Sequence, residues 1–184
     1  VLNPSKHYQR YRYKEYSQNK PYYQWWYYYV QDFAKNKHYA FTYGMTTCSG
    51  VPSPACTYTG AYVLFAEIDN TQKTRMQKYE FYPLSHLLVS DEFNYKVYGS
   101  NVSEALKNKE APLFELKPLN DDTFQITGEM RKNSPFAWVS EDCDLNLEVK
   151  WNVTLSRVYG YYAQDVFEKP DELLRGIIMW DTYA

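Results

Sequence analysis

The stretch Pro21-Tyr22-Tyr23-Gln24-Trp25-Trp26-Tyr27-Tyr28-Tyr29-Val30 carries seven aromatic residues in ten. In an extended chain successive side chains face opposite sides. Gln24, Trp26, Tyr28 and Val30 therefore share one face, and Trp25, Tyr27 and Tyr29 share the other. Both faces are aromatic, so both need cover. Val30 continues the first set with another apolar group and Gln24 suits a rim, so Trp26 and Tyr28 are expected to point inward.

The period of two persists along the chain. Leu145, Leu147, Val149, Trp151, Val153 and Leu155 alternate with Asn146, Glu148, Lys150, Asn152 and Thr154, which predicts a strand with one buried and one wet face. Phe124, Ile126, Gly128 and Met130 alternate with polar residues in the same way, as do Phe93, Tyr95 and Val97. Tyr79 and Phe81 read as the apolar face of a further strand, with Lys78 and Glu80 turned to solvent. The segment from Tyr58 to Ile68 is apolar on both sides, as a central strand would be. Turn residues separate these runs: Asn36, Ser49-Gly50 to Pro54, Asp69-Asn70, Gly99-Ser100-Asn101, Asn120-Asp121-Asp122 and Asn133-Ser134-Pro135. Helix is scarce, with a turn or two expected from Ser103, as N-cap, to Lys109 and one turn over Pro170 to Gly176.

Some eight antiparallel strands, each with one apolar face, must stack as a sandwich or close into a barrel. The 21 Tyr, 9 Phe and 5 Trp favour a barrel with a roomy interior, because large rings with polar tips line ligand cavities well. The expected architecture is all-β, an antiparallel lipocalin-like β-barrel over residues 21–184 behind a Tyr-rich N-terminal arm at 1–20. An aromatic-rich sandwich core is the alternative.

The net charge of -2 gives no overall basic field. The arm alone interleaves Lys6, Arg10, Arg12, Lys14 and Lys20 with Tyr8, Tyr11, Tyr13 and Tyr16. That pattern can stack on single-stranded nucleic acid, but the rest of the chain supplies no basic field, so a solvated arm is the favoured reading and nucleic acid is not the expected partner. No apolar run approaches the roughly 20 residues of a membrane-spanning helix. Val1 in place of Met points to a processed chain. Two glycosylation sequons, Asn101-Val102-Ser103 and Asn152-Val153-Thr154, lean towards the secretory pathway although chance alone supplies about that many. Cys48 and Cys56 flank a Gly/Pro/Ser loop that either closes as a disulfide or leaves two thiols, and Cys143 is left over.

"QWWYYYV" at Gln24 to Val30, a gap, then "HYAFTYGM" at His38 to Met45 resembles the opening of the hydroxyneurosporene synthase/AttH-type family. The closing "GIIMWDTYA" resembles the strand that leads out of that family's first domain. The resemblance implies a lipocalin-like fold, the first of two consecutive β domains, and activity of the carotenoid 1,2-hydratase or fungal decalin cyclase kind. Gln24 stands where the family has an acid, and the second domain is absent from this chain. The outward rings would then be covered by the arm or by that second domain.

For chemistry, His7, His38 and His86 lack ligand spacing and no metal or cofactor is expected. The seven Gly form no phosphate loop, and no Ser sits in a nucleophile elbow. Carboxylates in apolar company remain: Glu67, Glu80 and Asp181. A carboxyl buried among rings can keep its proton and protonate an alkene. Each is otherwise an ordinary solvent-facing or strand-end residue, and Asp181, between Trp180 and Tyr183, is the catalytic candidate. Trp26, Tyr28, Tyr62 and Trp151 are the expected ligand-lining residues, with plain core packing as the alternative.

Two functions compete. One is binding of an apolar polyene, terpenoid or polyketide-like small molecule, with cyclisation, hydration or isomerisation, for which shaped walls remove an entropic barrier. The other is a non-catalytic secreted or surface interaction domain that uses an exposed aromatic patch. A lumen open by several hundred Å³ favours the first, and one filled by Tyr and Trp favours the second.

Overall fold

Strand β1 (Tyr22–Asp32) pairs antiparallel with β2 (Lys37–Thr47), which pairs with β3 (Gly60–Asp69), which pairs with β4 (Thr74–Pro83). The computed structural model describes residues 22–47, 59–89, 94–120, 123–156, 160–162 and 181–183. Side chains are described for the same residues apart from 22, 23, 47, 160–162 and 181–183. The connections from β1 to β2 and from β3 to β4 are hairpins, and each opens on an aspartate. Asp32 accepts a hydrogen bond from the Lys35 amide at 3.0 Å, and Asp69 accepts from the amides of Thr71 and Gln72 at 2.9 Å. These short side chains satisfy turn amides that the ladder leaves over. Asn36 takes the left-handed conformation at φ 54°, which Asn tolerates better than most residues.

The second sheet runs in the order β5 (Leu87–Val89), β6 (Tyr95–Val97), β7 (Phe114–Asn120), β8 (Thr123–Met130), β9 (Val149–Ser156). A 3-10 turn, Leu84–His86, links the sheets, and helix α1 (Val102–Asn108) sits between β6 and β7. Asn101, not Ser103, caps α1, its side chain accepting the Ser103 amide at 3.0 Å. Strands β10 (Gly160–Tyr162) and β11 (Asp181–Tyr183) form a separate antiparallel pair.

The fold is thus mostly β, in antiparallel sheets, with little helix among the described residues. The two larger sheets lie face to face. Trp151 of β9 stacks on Phe65 and tilts against Phe41 and Phe114, while Tyr95 of β6 meets Trp26 and Tyr43 edge-on, all at centroid distances of 5.4–5.8 Å. Among the described strands no pairing joins the two sheets into a closed barrel.

Two expectations change here. The run from Leu145 keeps its alternating burial but becomes a strand only at Val149. Its first residues belong to an excursion between β8 and β9 that lies along the edge of β4. The amides of Trp138 and Asp144 donate to the carbonyls of Tyr79 and Gln77, and the Phe81 amide donates to Phe136. Within the run itself the Leu145 carbonyl accepts the Asn133 amide at 3.1 Å and the Leu147 amide donates to the Asp144 carbonyl at 3.2 Å, so these groups serve local turns instead of a ladder. The second change concerns β4 itself: Lys78 and Glu80 face the core, at 0% and 1% exposure, while Tyr79 and Phe81 lie on the outer face.

Candidate functional site

The register of the first sheet sorts its residues into two surfaces. Trp26, Tyr43, Val63 and Glu80 stand opposite one another on the inner face, as do Tyr28, Phe41, Phe65 and Lys78. On the outer face, Trp25, Gly44, Tyr62 and Phe81 form one row across the strands, and Tyr27, Thr42, Leu64 and Tyr79 form the next. Burial follows this division. Trp26 and Tyr28 are each 8% exposed, whereas Trp25, Tyr27 and Tyr29 are 49%, 57% and 54% exposed.

The outer rows make a groove of about 340 Å³ lined by Trp25, Tyr27, Thr42, Tyr62, Leu64 and Tyr79. That volume is at the small end of ligand sites. Gly44 shapes its floor, since a Cβ there would lie 2.2 Å from the Tyr62 ring. With no side chain at 44, Tyr62 can lie flat across the strand. Its ring continues the row to Phe81 at 5.8 Å, and Phe81 to Trp138 at 5.3 Å. The excursion between β8 and β9 thereby extends the aromatic row beyond the sheet edge. The exposed carboxylates Glu141, Asp142 and Asp144 follow on the same excursion. Burial raises the Tyr79 hydroxyl pKa, and the neighbouring Cys143 and Asp142 raise it further.

At the far end of the outer face, Tyr29 stacks on His38 and its hydroxyl bonds the ring Nδ1. The other ring nitrogen meets the Asn70 side-chain amide at 2.7 Å. His86 lies elsewhere, its Nδ1 3.1 Å from the Tyr98 carbonyl. Among the described residues no group of three or more His, Cys, Asp and Glu is placed to hold a metal ion.

The inner face is packed, and the polar tips of Trp151, Tyr43 and Tyr95 all find partners. Trp151 Nε1 donates to the Tyr43 hydroxyl at 2.7 Å, and Tyr43 donates to the Thr127 carbonyl at 2.8 Å. Tyr95 donates to the Gly44 carbonyl at 2.7 Å. A Cβ on Gly128 would lie 2.1 Å from the Trp151 ring, so this ring too lies flat on a glycine. Burial drives the hydroxyl pKa values of Tyr28, Tyr43 and Tyr95 far above tyrosine's ordinary 10.0.

At the β4 side of the interior, the Lys78 ammonium donates to the carbonyls of Arg131 at 2.6 Å and Leu147 at 3.0 Å, with Leu145 at 3.5 Å. Glu80 Oε2 accepts the Tyr82 hydroxyl at 2.5 Å, and Oε1 lies 3.6 Å from the Lys78 amine. Oε1 has no hydrogen-bond partner among the described residues. Lys78 therefore clips the excursion between β8 and β9 onto the core, and Glu80 holds its countercharge.

No protein family, curated protein or solved structure matches the chain.

Of the residues expected to line a ligand, Trp26, Tyr28 and Trp151 lie together in the interior. Tyr62 does not join them, because it is paired with Gly44 and Phe81 on the outer face. Glu67 sits near the end of the sheet, where it and Asp69 flank the Lys37 amine at 2.7 and 3.1 Å. Asp181 pairs through its backbone with Tyr162, and its side chain lies outside the described residues, as do Cys48, Cys56 and His7. Cys143 is a partly buried free thiol. Sequence reasoning passed over Gly44, Tyr79 and Trp138 in the outer groove. The available signal was the position of Gly44 opposite Trp25, which a four-residue turn at Phe33 to Asn36 implies.

Proposed function

We propose that the protein is a non-catalytic interaction domain that binds through the outer aromatic face of its first sheet. The observation that carries this is the half-exposure of Trp25, Tyr27 and Tyr29 on the same strand whose alternate rings are buried. Large rings left in water on one contiguous face are characteristic of recognition surfaces. The groove offers flat rings with hydroxyl tips and no group of metal ligands, which suits an amphipathic, flat-sided partner.

The test is a titration of the full chain with the neutral dye Nile red. Trp25→Ala and Tyr27→Ala should each weaken dye binding about fivefold or more, on the order of 1 kcal/mol, with circular dichroism unchanged. Dye affinity that ignores both substitutions would remove this reading.

A second reading follows the hydroxyneurosporene synthase/AttH-type resemblance: the sheets form a flattened lipocalin-like barrel that binds, and cyclises, hydrates or isomerises, an apolar polyene or polyketide. Glu80 favours it, being a buried carboxyl whose Oε1 has no hydrogen-bond partner among the described residues. Paired with Lys78 as a carboxylate, such a group can serve as a general base. Titration with all-trans-retinol separates the two, since interior binding responds to Glu80→Gln and Trp26→Phe but not to Tyr27→Ala.

A further inference from the structure

We propose that the outer groove is the docking site of the chain's own N-terminal arm, residues 1–20, which lie outside the described residues. The inference rests on the reading of this face as an interaction surface and names its occupant.

Chain continuity is the first argument. The arm joins β1 at Tyr22, and Trp25, three residues on, already lines the groove. Crossing from β1 to β4 takes three interstrand steps, about 14 Å. An extended chain covers that in about four or five residues. Counted back from Pro21, residues 13–16 therefore reach the far side of the groove with length to spare.

Chemistry is the second argument. Tyr13 and Tyr16 are flat rings with polar tips, matching a groove walled by Trp25, Tyr27, Tyr62 and Tyr79. The arm carries Lys6, Arg10, Arg12, Lys14 and Lys20 against the single carboxylate Glu15. The rim beyond β4 presents Glu141, Asp142 and Asp144, all exposed, and the Asp144 amide is anchored to the Gln77 carbonyl at 2.9 Å. An arm laid across the sheet brings Arg12 and Lys14 to these carboxylates. Surface pairs of this kind contribute little and are screened by salt, so the rings hold the arm and the charges orient it. The arm then competes with any other ligand of the same face.

Two measurements on the full chain test this. Limited trypsin digestion, followed by mass spectrometry, reads cleavage after Arg10 and Arg12. Tyr27→Ala should speed that cleavage about tenfold by releasing the arm, and Glu141→Gln with Asp142→Asn should speed it a few-fold at low salt. Nile red should bind several-fold more tightly to the Tyr13→Ser/Tyr16→Ser variant, because its competitor is weakened. Equal cleavage in wild type and variants, with dye affinity indifferent to the arm, overturns the docking. If Tyr27→Ala still weakens dye binding in that case, the face remains an interaction surface with a different occupant. If it does not, both readings fall. Carbodiimide coupling of Lys14 to Glu141 or Asp142 should occur within one chain, and coupling found only between chains assigns the groove to a second copy's arm and overturns docking in the same chain.

Discussion

Trp25 and Trp26 are neighbours in the chain and opposites in the fold. Trp26 meets Tyr95 edge-on between the sheets, whereas Trp25 stands half in water beside Tyr27. A parallel contrast concerns the two rings that lie on glycines. Trp151 over Gly128 is sealed inside by Phe41, Phe65 and Phe114, while Tyr62 over Gly44 floors an open groove. The same local device, a flat ring on a residue without a side chain, serves packing on one face and floors an open groove on the other. What differs is only whether a second sheet covers it.

Alkaline pH should break the contrast most strongly. Burial raises the pKa values of Tyr28, Tyr43, Tyr82 and Tyr95, for Tyr82 with help from the neighbouring Glu80 charge. Groups with raised folded-state values contribute stability that is fully present below the unfolded value and is lost as pH rises. The window therefore opens near tyrosine's ordinary 10.0. Two pH units above it, each buried tyrosine withdraws about 2.7 kcal/mol. Absorbance at the tyrosinate band should show a late group of tyrosines ionising together with loss of the circular dichroism signal. A smooth titration with the fold intact would mean that these hydroxyls reach water.

Next in size is Lys78→Met. Removing the ammonium leaves Glu80 as an unpaired buried charge and deprives the Arg131 and Leu147 carbonyls of a donor, at a cost of about 3–5 kcal/mol by denaturant titration. Adding Glu80→Leu should recover part of the loss, because the pair is then replaced by apolar volume. A loss under 1 kcal/mol for the single change would indicate that water already enters this end of the core.

Comparing the tryptophans directly, Trp26→Ala should cost about 3–5 kcal/mol, and Trp25→Ala less than about 1 kcal/mol. Thermal or denaturant melts of both variants decide it, and equal losses would erase the distinction between the faces. The smallest effects belong to the glycines. Gly128→Ala forces the Trp151 ring from a filled site at about 1–3 kcal/mol. Gly44→Ala meets a ring at the open surface, so its stability cost should be about 1 kcal/mol or less, with the larger change in dye binding.

Much of this was readable beforehand. Strict alternation in Gln24 to Val30 places Trp26 with Tyr28 and Trp25 with Tyr27, because pleated backbone permits no other division. The positions of Asn36 and Asp69-Asn70 locate two hairpins, and the apolar run to Ile68 marks β3 as an interior strand. Alternation is blind to which side is in. In Lys78-Tyr79-Glu80-Phe81 the charged pair reads as the wet face, yet it is the buried one. The ammonium finds carbonyl oxygens and a carboxylate in the core, and a buried charge so partnered can be tolerated. Tyr62 was misplaced for a related reason, since a central strand apolar on both sides offers no polar residue to orient it.

The sequence by itself therefore determined most of the longer strands, two of the hairpins and the sorting of their residues into faces, all of which follow from a local period of two and local turn chemistry. The tertiary structure alone decided which face became core. It brought Trp151 over Gly128 and against Phe41 and Phe65, and it drew the carbonyls of Leu145 and Leu147 to Lys78 instead of into a ladder. Apart from the cross-strand pair Gly128 and Trp151, these contacts join residues about 70 to 110 positions apart, and no local pattern records them. They arise because a sheet with two aromatic faces gains most by burying the one whose polar tips and charges another sheet can satisfy, leaving the other exposed.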